Sequence, residues 1–396
     1  MCKEPCISCP ACTPDVLAVS VDGNRKLYRI QSNTSTSEQG NFEGVFIEKD
    51  EEVAEFMKYI QRHTNDVPGK GLCGSSSWTA AKESTKKSTG KLDEEGMEIA
   101  VCRHGVLLAA LNMFRGEIFA YPLFLQRKLA ASVPGHITFL CSDVACKYFP
   151  YLTKVAQLRN LLSMRPFLSV MHAKAHIWKC EIKWGGAFQD GAGSTVGKEV
   201  GQVNRRTDML TLLALGWNKR KVEQLGRSLS QRYLKIIRIL REQMESLNAT
   251  KNELGVDDDT LQQWVADVQK WAEAAAELQT KRKVFEKVMA VRRLREEEMI
   301  LCREMRHHWT VLRMRSVVLG TISSDSSLVG MSEDAQKGLH SLVLKKQSEL
   351  KAEMLKIKDM YKRILSHQPL LEMDSEEEED IPDDATESGL STSDED

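Results

Sequence analysis

In the first half of the chain, apolar residues come in short dense runs broken by turn residues. In the second half they recur at three- and four-residue steps. Val16 to Asp22 (VLAVSVD) is rich in β-branched residues, and Asp22-Gly23-Asn24 reads as a turn into a second strand, Lys26 to Ile30, so a hairpin is expected. Glu98 to Met113 reads as one or two strands, and Glu117 to Ala131 as a helix. His136 to Cys141 reads as a buried strand ending at Ser142-Asp143. Leu168 to Ile177 is apolar with histidines, and Gly185 to Gly201 is rich in glycine. Residues 31–95 are polar apart from one helical segment, Glu51 to Arg62, and read as an insertion. This mixture of strand and helix signals predicts an α/β domain over residues 14–206.

From about Asp208 the period changes. Val222, Leu225, Leu229, Tyr233, Ile236, Leu240, Met244 and Leu247 mark one amphipathic helix, and Leu261, Trp264, Val268, Trp271 and Leu278 begin another. Turns are expected at Asn248 to Asp259 and at Ser323 to Ser332, with a last helix from Glu333 to Leu365. Residues 207–370 should therefore form a helical bundle or coiled coil, a region through which copies of the chain could associate into a homo-oligomer. Residues 371–396 cannot bury a core and are expected to be disordered.

The formal net charge of −1 hides an uneven distribution. Residues 372–396 hold thirteen acids and no Lys or Arg, so the body has 55 basic against 43 acidic residues. Arg205 to Arg241 alone has ten Lys/Arg against Asp208 and Glu223. A basic body with an acidic tail suits a nucleic-acid or chromatin partner, with Arg205, Arg206, Lys219, Arg220 and Lys221 as contacts to DNA phosphates. A solvated helix face is the plainer alternative. Lys219-Arg220-Lys221 also has the form of a nuclear import signal, so the nucleus is the expected location. No run of eighteen apolar residues exists and none follows the first methionine, so neither a membrane partner nor a secretory signal is expected.

Ten cysteines in a chain expected to stay inside the cell point to metal before disulfide. Cys2, Cys6, Cys9 and Cys12 supply the ligand count of a tetrahedral zinc, at a spacing short for a self-contained site. A site shared with other ligands, or a remnant without metal, are the alternatives. A further candidate joins Cys102 and His104 to His172, His176 and Cys180, because steps of four on a helix put the last three on one face. That set would hold a structural Zn²⁺. Ordinary buried side chains are the alternative, and His172 or His176 could instead lie near the acids. Gly191, Gly193 and Gly197 lack the Lys-Ser/Thr ending of a phosphate loop, so nucleotide binding is not expected.

Asp22 and Asp143 each end an apolar run. One such Asp is more often a turn residue; two in this element order suit a two-metal phosphodiester site, which needs carboxylates converging from distant sequence. Cys9-Pro10-Ala11-Cys12, Asp22-Gly23-Asn24, Cys102-Arg103-His104-Gly105, Gly116-Glu117, Asp143 with Cys146, His172-x-x-x-His176 and Gly191-x-Gly193-x-Thr195-x-Gly197 follow one another in order. Over roughly residues 5–225 this series resembles the KDZ-type DNA transposases, especially the animal lineage with a CxC-type cysteine cluster upstream.

The resemblance implies an RNase H-like core in which Asp22, Asp143 and Glu199 hold Mg²⁺ or Mn²⁺. It also implies a shortened copy: the chain starts close to the cysteine cluster and runs from Asn204 directly into Arg205, where the family carries a further helical stretch. Lys198 and Gly201 stand where relatives usually carry acids. The expected function is that of a transposase-derived, DNA-associated nuclear protein with an impaired Asp-Asp-Glu site. A non-catalytic helical scaffold and an active metal-dependent transposase are the alternatives.

Overall fold

The computed structural model describes residues 9–12, 15–25, 27–30, 47–63, 92–114, 116–133, 136–197, 199–200, 221–271, 279–324 and 332–365. Its strands are β1 (Val16–Asn24), β2 (Arg29–Ile30), β3 (Leu92–Glu94), β4 (Gly96–Cys102), β5 (Leu107–Met113), β6 (Ile137–Cys141) and β7 (Arg165–Phe167). Five of them form a mixed sheet of order β5-β4-β1-β6-β7. β1 is antiparallel to β4 and parallel to β6; β4 and β5 are antiparallel, and β6 and β7 parallel. The expected hairpin between Val16–Asp22 and Lys26–Ile30 does not form. Both edges of β1 are taken, by β4 and β6, and Arg29–Ile30 pairs instead with Leu92–Glu94.

The central position of β1 explains its composition. A strand covered on both faces needs apolar residues at nearly every position. Val19 and Val21 join one large core with Phe56, Leu111, Phe124 and Leu140. Ala18 faces a second cluster with Phe139, Cys141, Phe167 and Ala192. Each fully buried large side chain adds about 1.5–3 kcal/mol.

Helices α1 (Asp50–His63) and α2 (Ala120–Ser132) pack on the larger core, and α3 (Ala145–Leu152) follows β6. The histidine region is not one helix. It breaks into α4 (Val170–Ala173) and α5 (Trp178–Trp184), with His176 in the turn between them.

The C-terminal region comprises α6 (Leu225–Leu254), α7 (Asp258–Trp271), α8 (Gln279–Ser324) and α9 (Glu333–Leu365). Leu225, Leu229, Tyr233, Ile236 and Leu240 are buried along α6, the stripe the three- and four-residue steps predict. Gly255, left-handed at φ 64°, closes that helix. The helices do not stand apart from the sheet. Leu225, Leu229, Tyr233, Leu301 and Met305 belong to the same buried cluster as Val19 and Phe124.

Candidate metal-binding sites

The sheet register builds an acidic cleft. Ser20 on β1 pairs with Cys141 on β6 in parallel alignment. Asp22 and Asp143 each lie two residues beyond that pair, so strands spaced ~4.8 Å apart deliver both acids to the same end of the sheet. They line a cavity of about 160 Å³ together with Glu98, Glu117 and Ser142. Glu98 pairs across from Gly23, where a Cβ would lie 2.9 Å from Glu98 Oε2 and 3.1 Å from the Glu117 side chain. Glycine at position 23 is what leaves room for the two glutamates.

Among the described lining residues there is no lysine or arginine. Burial, then the charges of Glu117 and Asp22, hold the Glu98 carboxyl well above its usual range. Burial and Asp22 push Glu117 up to about 7, against the opposing pull of Arg25. Glu98 Oε2 is buried without a hydrogen-bond partner. Four converging carboxyl groups, two of them raised and one with a buried unpaired oxygen, fit a divalent cation, which would replace the missing positive charge. His172 Nδ1 lies 2.6 Å from Asp143 Oδ2 and orients that acid. Glu199 does not line this cavity; its Oε2 accepts a 3.1 Å hydrogen bond from Ser20 Oγ. Ser20 and Asp22 share a face of β1 by its two-residue repeat.

The cysteines and histidines sort into two clusters, not the set expected. Cys9, Cys12, Cys102 and His104 place their ligand atoms within 4.8 Å of one another, and Cys146, His176 and Cys180 do the same elsewhere. Cys102 and His104 therefore separate from His176 and Cys180, and His172 goes to the acids. Pairing of β1 with β4 carries the turn after Cys102 to the residues that precede β1. The N-terminal pair thus shares a site with distant ligands. Cys2 and Cys6 lie outside the described residues.

Three thiols and an imidazole are a complete tetrahedral complement for a metal such as zinc. Burial would raise the Cys102 thiol, yet hydrogen bonds from Cys12, Cys9 and His104 hold it well below its usual range. The contact with Cys102 pushes the Cys9 and Cys12 thiols up, so the cluster by itself favours one thiolate, at Cys102, the form a metal binds. His104 Nδ1 faces Cys12 and Cys9 at 3.3 and 3.5 Å, while its Nε2 lies 3.2 Å from Glu304 Oε2 on α8. A carboxylate behind a ligating histidine fixes the ring orientation. Burial works against the Glu304 charge, but Arg103 and His104 bring its carboxyl down to about 2.

The glycine-rich loop is occupied by protein. Gly191 and Gly193 donate their N–H groups to Glu296, and Ser194 donates to Glu297. Gly193 (φ +57°) needs its missing side chain, since a Cβ there would approach Glu297 Oε2 to 2.5 Å. Glu297 is fully buried and pairs with Arg103 at 2.6 Å and Arg232 at 2.8 Å. Arg232, counted in sequence among the basic residues of a DNA-facing strip, is thereby turned inward. Arg205, Arg206, Lys198, Lys219 and Arg220 lie outside the described residues; Lys221 begins a helical turn just before α6.

Sequence reasoning missed Glu98, Glu117, Cys146 and Glu304. Glu98 is the one charged residue in GMEIAVC, and Glu117 and Cys146 stand in the ordered motif series. Glu304 left no signal, because a glutamate on a charged helix reads as solvated.

The mixed sheet, its acidic cleft and its cysteine–histidine clusters define an α/β protein with sites fit for metal ions. Residues 15–210 match the Kyakuja-Dileera-Zisupton transposase family model. Over these residues the chain belongs to that family. Comparisons with curated proteins and with solved structures gave no match. Among the described residues no helix is long and apolar enough to cross a membrane.

Proposed function

We propose that this is a transposase-derived, DNA-associated nuclear protein with an RNase H-like core. In this reading the acidic end still binds Mg²⁺ or Mn²⁺ but strand cleavage is impaired. The observation that carries the reading is the Ser20–Cys141 register, which brings Asp22 and Asp143 to one cleft within the matched region. A central strand antiparallel on one side and parallel on the other, with acids at the parallel ends, is what an RNase H-like core requires.

Asp22 and Asp143 are the first two acids of the set, and Glu199, on the Asp22 face, is the third. A cation held there would supply an activated oxygen nucleophile and neutralise phosphate charge. His172, 2.6 Å from Asp143 Oδ2, fixes the position of that carboxyl group. Impairment rests on Lys198, a positive charge beside Glu199, on Gly201 in place of an acid, and on the direct passage from Asn204 to Arg205. Cys9, Cys12, Cys102 and His104 hold a structural Zn²⁺ that ties the residues before β1 to the turn after β4. Lys and Arg of the basic segment, with Arg205 and Arg206 in its sequence, contact the DNA backbone in this reading.

The test is a duplex-nicking assay on the full chain with Mg²⁺ and Mn²⁺, alongside a Mn²⁺-binding titration. The expected outcome is Mn²⁺ binding that Asp22→Ala and Asp143→Ala each abolish, without nicking. Robust nicking lost in Asp22→Ala would overturn the impairment. Mn²⁺ binding unchanged in both variants would remove the acid site itself.

A further inference from the structure

We propose that Cys146, His176 and Cys180 form a second zinc site, independent of the cluster at Cys9, that locks together the two segments carrying Asp143 and His172. The three ligand atoms lie within 4.8 Å of one another, and Cys146 Sγ is 3.5 Å from His176 Nδ1. They come from three places: the first turn of α3, the turn between α4 and α5, and the first turn of α5. Cys146 and Cys180 are each only 7% exposed and neither is in a disulfide.

Helices α4 and α5 have four and seven residues. Elements so short make few hydrogen bonds of their own, so a cross-link between them adds to what their packing contributes. Two thiolates and an imidazole select a borderline-soft ion such as Zn²⁺ over Mg²⁺ or Mn²⁺, which the carboxylate cleft takes by the same rule. Three protein ligands leave a fourth position for water, unlike the closed set of four at Cys9.

The placement beside the acids gives this site its role. Cys146 is three residues after Asp143, and His176 four after His172. The 2.6 Å Asp143–His172 contact is therefore bracketed by ligands of one ion. His172 itself stays with the carboxylate and is a positioning residue.

Zinc content of the full-length protein, by elemental analysis and by release to a colorimetric chelator, tests this without reference to DNA. Two zinc ions per chain are expected, falling to one in Cys180→Ala and to one in Cys12→Ala, with both retained in Cys180→His. With cobalt in place of zinc, Cys180→Ala should remove the weaker thiolate charge-transfer band, from two sulfurs, and Cys12→Ala the stronger, from three. Should Cys180→Ala fail to fold, the folded Cys180→His protein and its cobalt spectrum decide. One zinc in the parent chain, lost in Cys12→Ala and kept in Cys180→Ala, would overturn the proposal, as would a folded Cys180→His protein holding a single ion. Because the readout is metal content, absence of DNA binding leaves this result intact, and absence of the second zinc leaves the acid cleft to be judged on its own.

Discussion

Glu117 holds its proton to a higher pH than most glutamates. Its folded carboxyl titrates at about 7, against an ordinary 4.5, because burial and Asp22 disfavour the charge. A carboxyl raised in the folded state contributes stability that is present below the unfolded value and is lost as pH climbs from 4.5 to 7. Glu117→Gln should therefore run close to the parent chain at pH 5 without added divalent cation, and exceed it by about 1–3 kcal/mol at pH 8. Thermal melts at the two pH values check this; an equal gap at both would show that Glu117 is not protonated by its surroundings. Glu304 makes a different case. Removing a carboxylate behind a ligating histidine weakens metal affinity by about 10–100-fold. Glu304→Gln should show that loss at the first zinc site in chelator competition, with the parent value retained if the contact is incidental. Of these residues the sequence displayed Asp22 and Asp143, which terminate apolar runs, but not their neighbours. A glutamate becomes unusual only by what the fold places around it, and the sorting of cysteines and histidines into two clusters depends on the same tertiary approach.

At the scale of elements, the amphipathic stripes were legible. Leu225, Leu229, Tyr233, Ile236 and Leu240 point inward as their spacing requires, and the last helix runs from Glu333 to Leu365 as expected. Periodicity reports the apolar face alone, so it gave no sign that α8 also docks through charge. Arg293, Glu296, Glu297 and Glu304 on α8 meet Asp190, the glycine loop, Arg103 and His104 respectively. Nor could it foresee that β1 lacks a free edge for Lys26–Ile30. Glu297→Ala leaves Arg103 buried and short of a partner, and breaking such a pair costs about 3–5 kcal/mol. Chemical denaturation of the variant should show a loss of that size in a single transition. A loss below about 1 kcal/mol would mean the pair is solvated in solution.

For the whole molecule, charge is arranged unevenly and its use is open to direct measurement. On α6, Arg227, Lys235, Arg238 and Arg241 are exposed while Arg232 is spent on Glu297. The remaining strip can displace counterions from a duplex without reading its bases. The thirteen acids of residues 372–396 can compete for it. A chain ending at Leu371 should bind non-specific duplex more tightly than the full chain, and the difference should fade as salt rises past a Debye length of ~10 Å at 0.1 M. Equal affinity of the two forms at low salt would dismiss the tail as a competitor.

The clasp between the glycine loop and α8 has a consequence for how the protein is made. Gly191, Gly193 and Ser194 obtain their acceptors from Glu296 and Glu297, more than a hundred positions later. A ribosome adding about 5–20 residues per second needs roughly 5–20 s to cover that distance. For that interval the nascent sheet has its strands but neither the carboxylates for this loop nor the counter-charge for Arg103. Such a half-made domain is a natural client for chaperones, and a message ending before Gln279 would encode a protein held in that state for good.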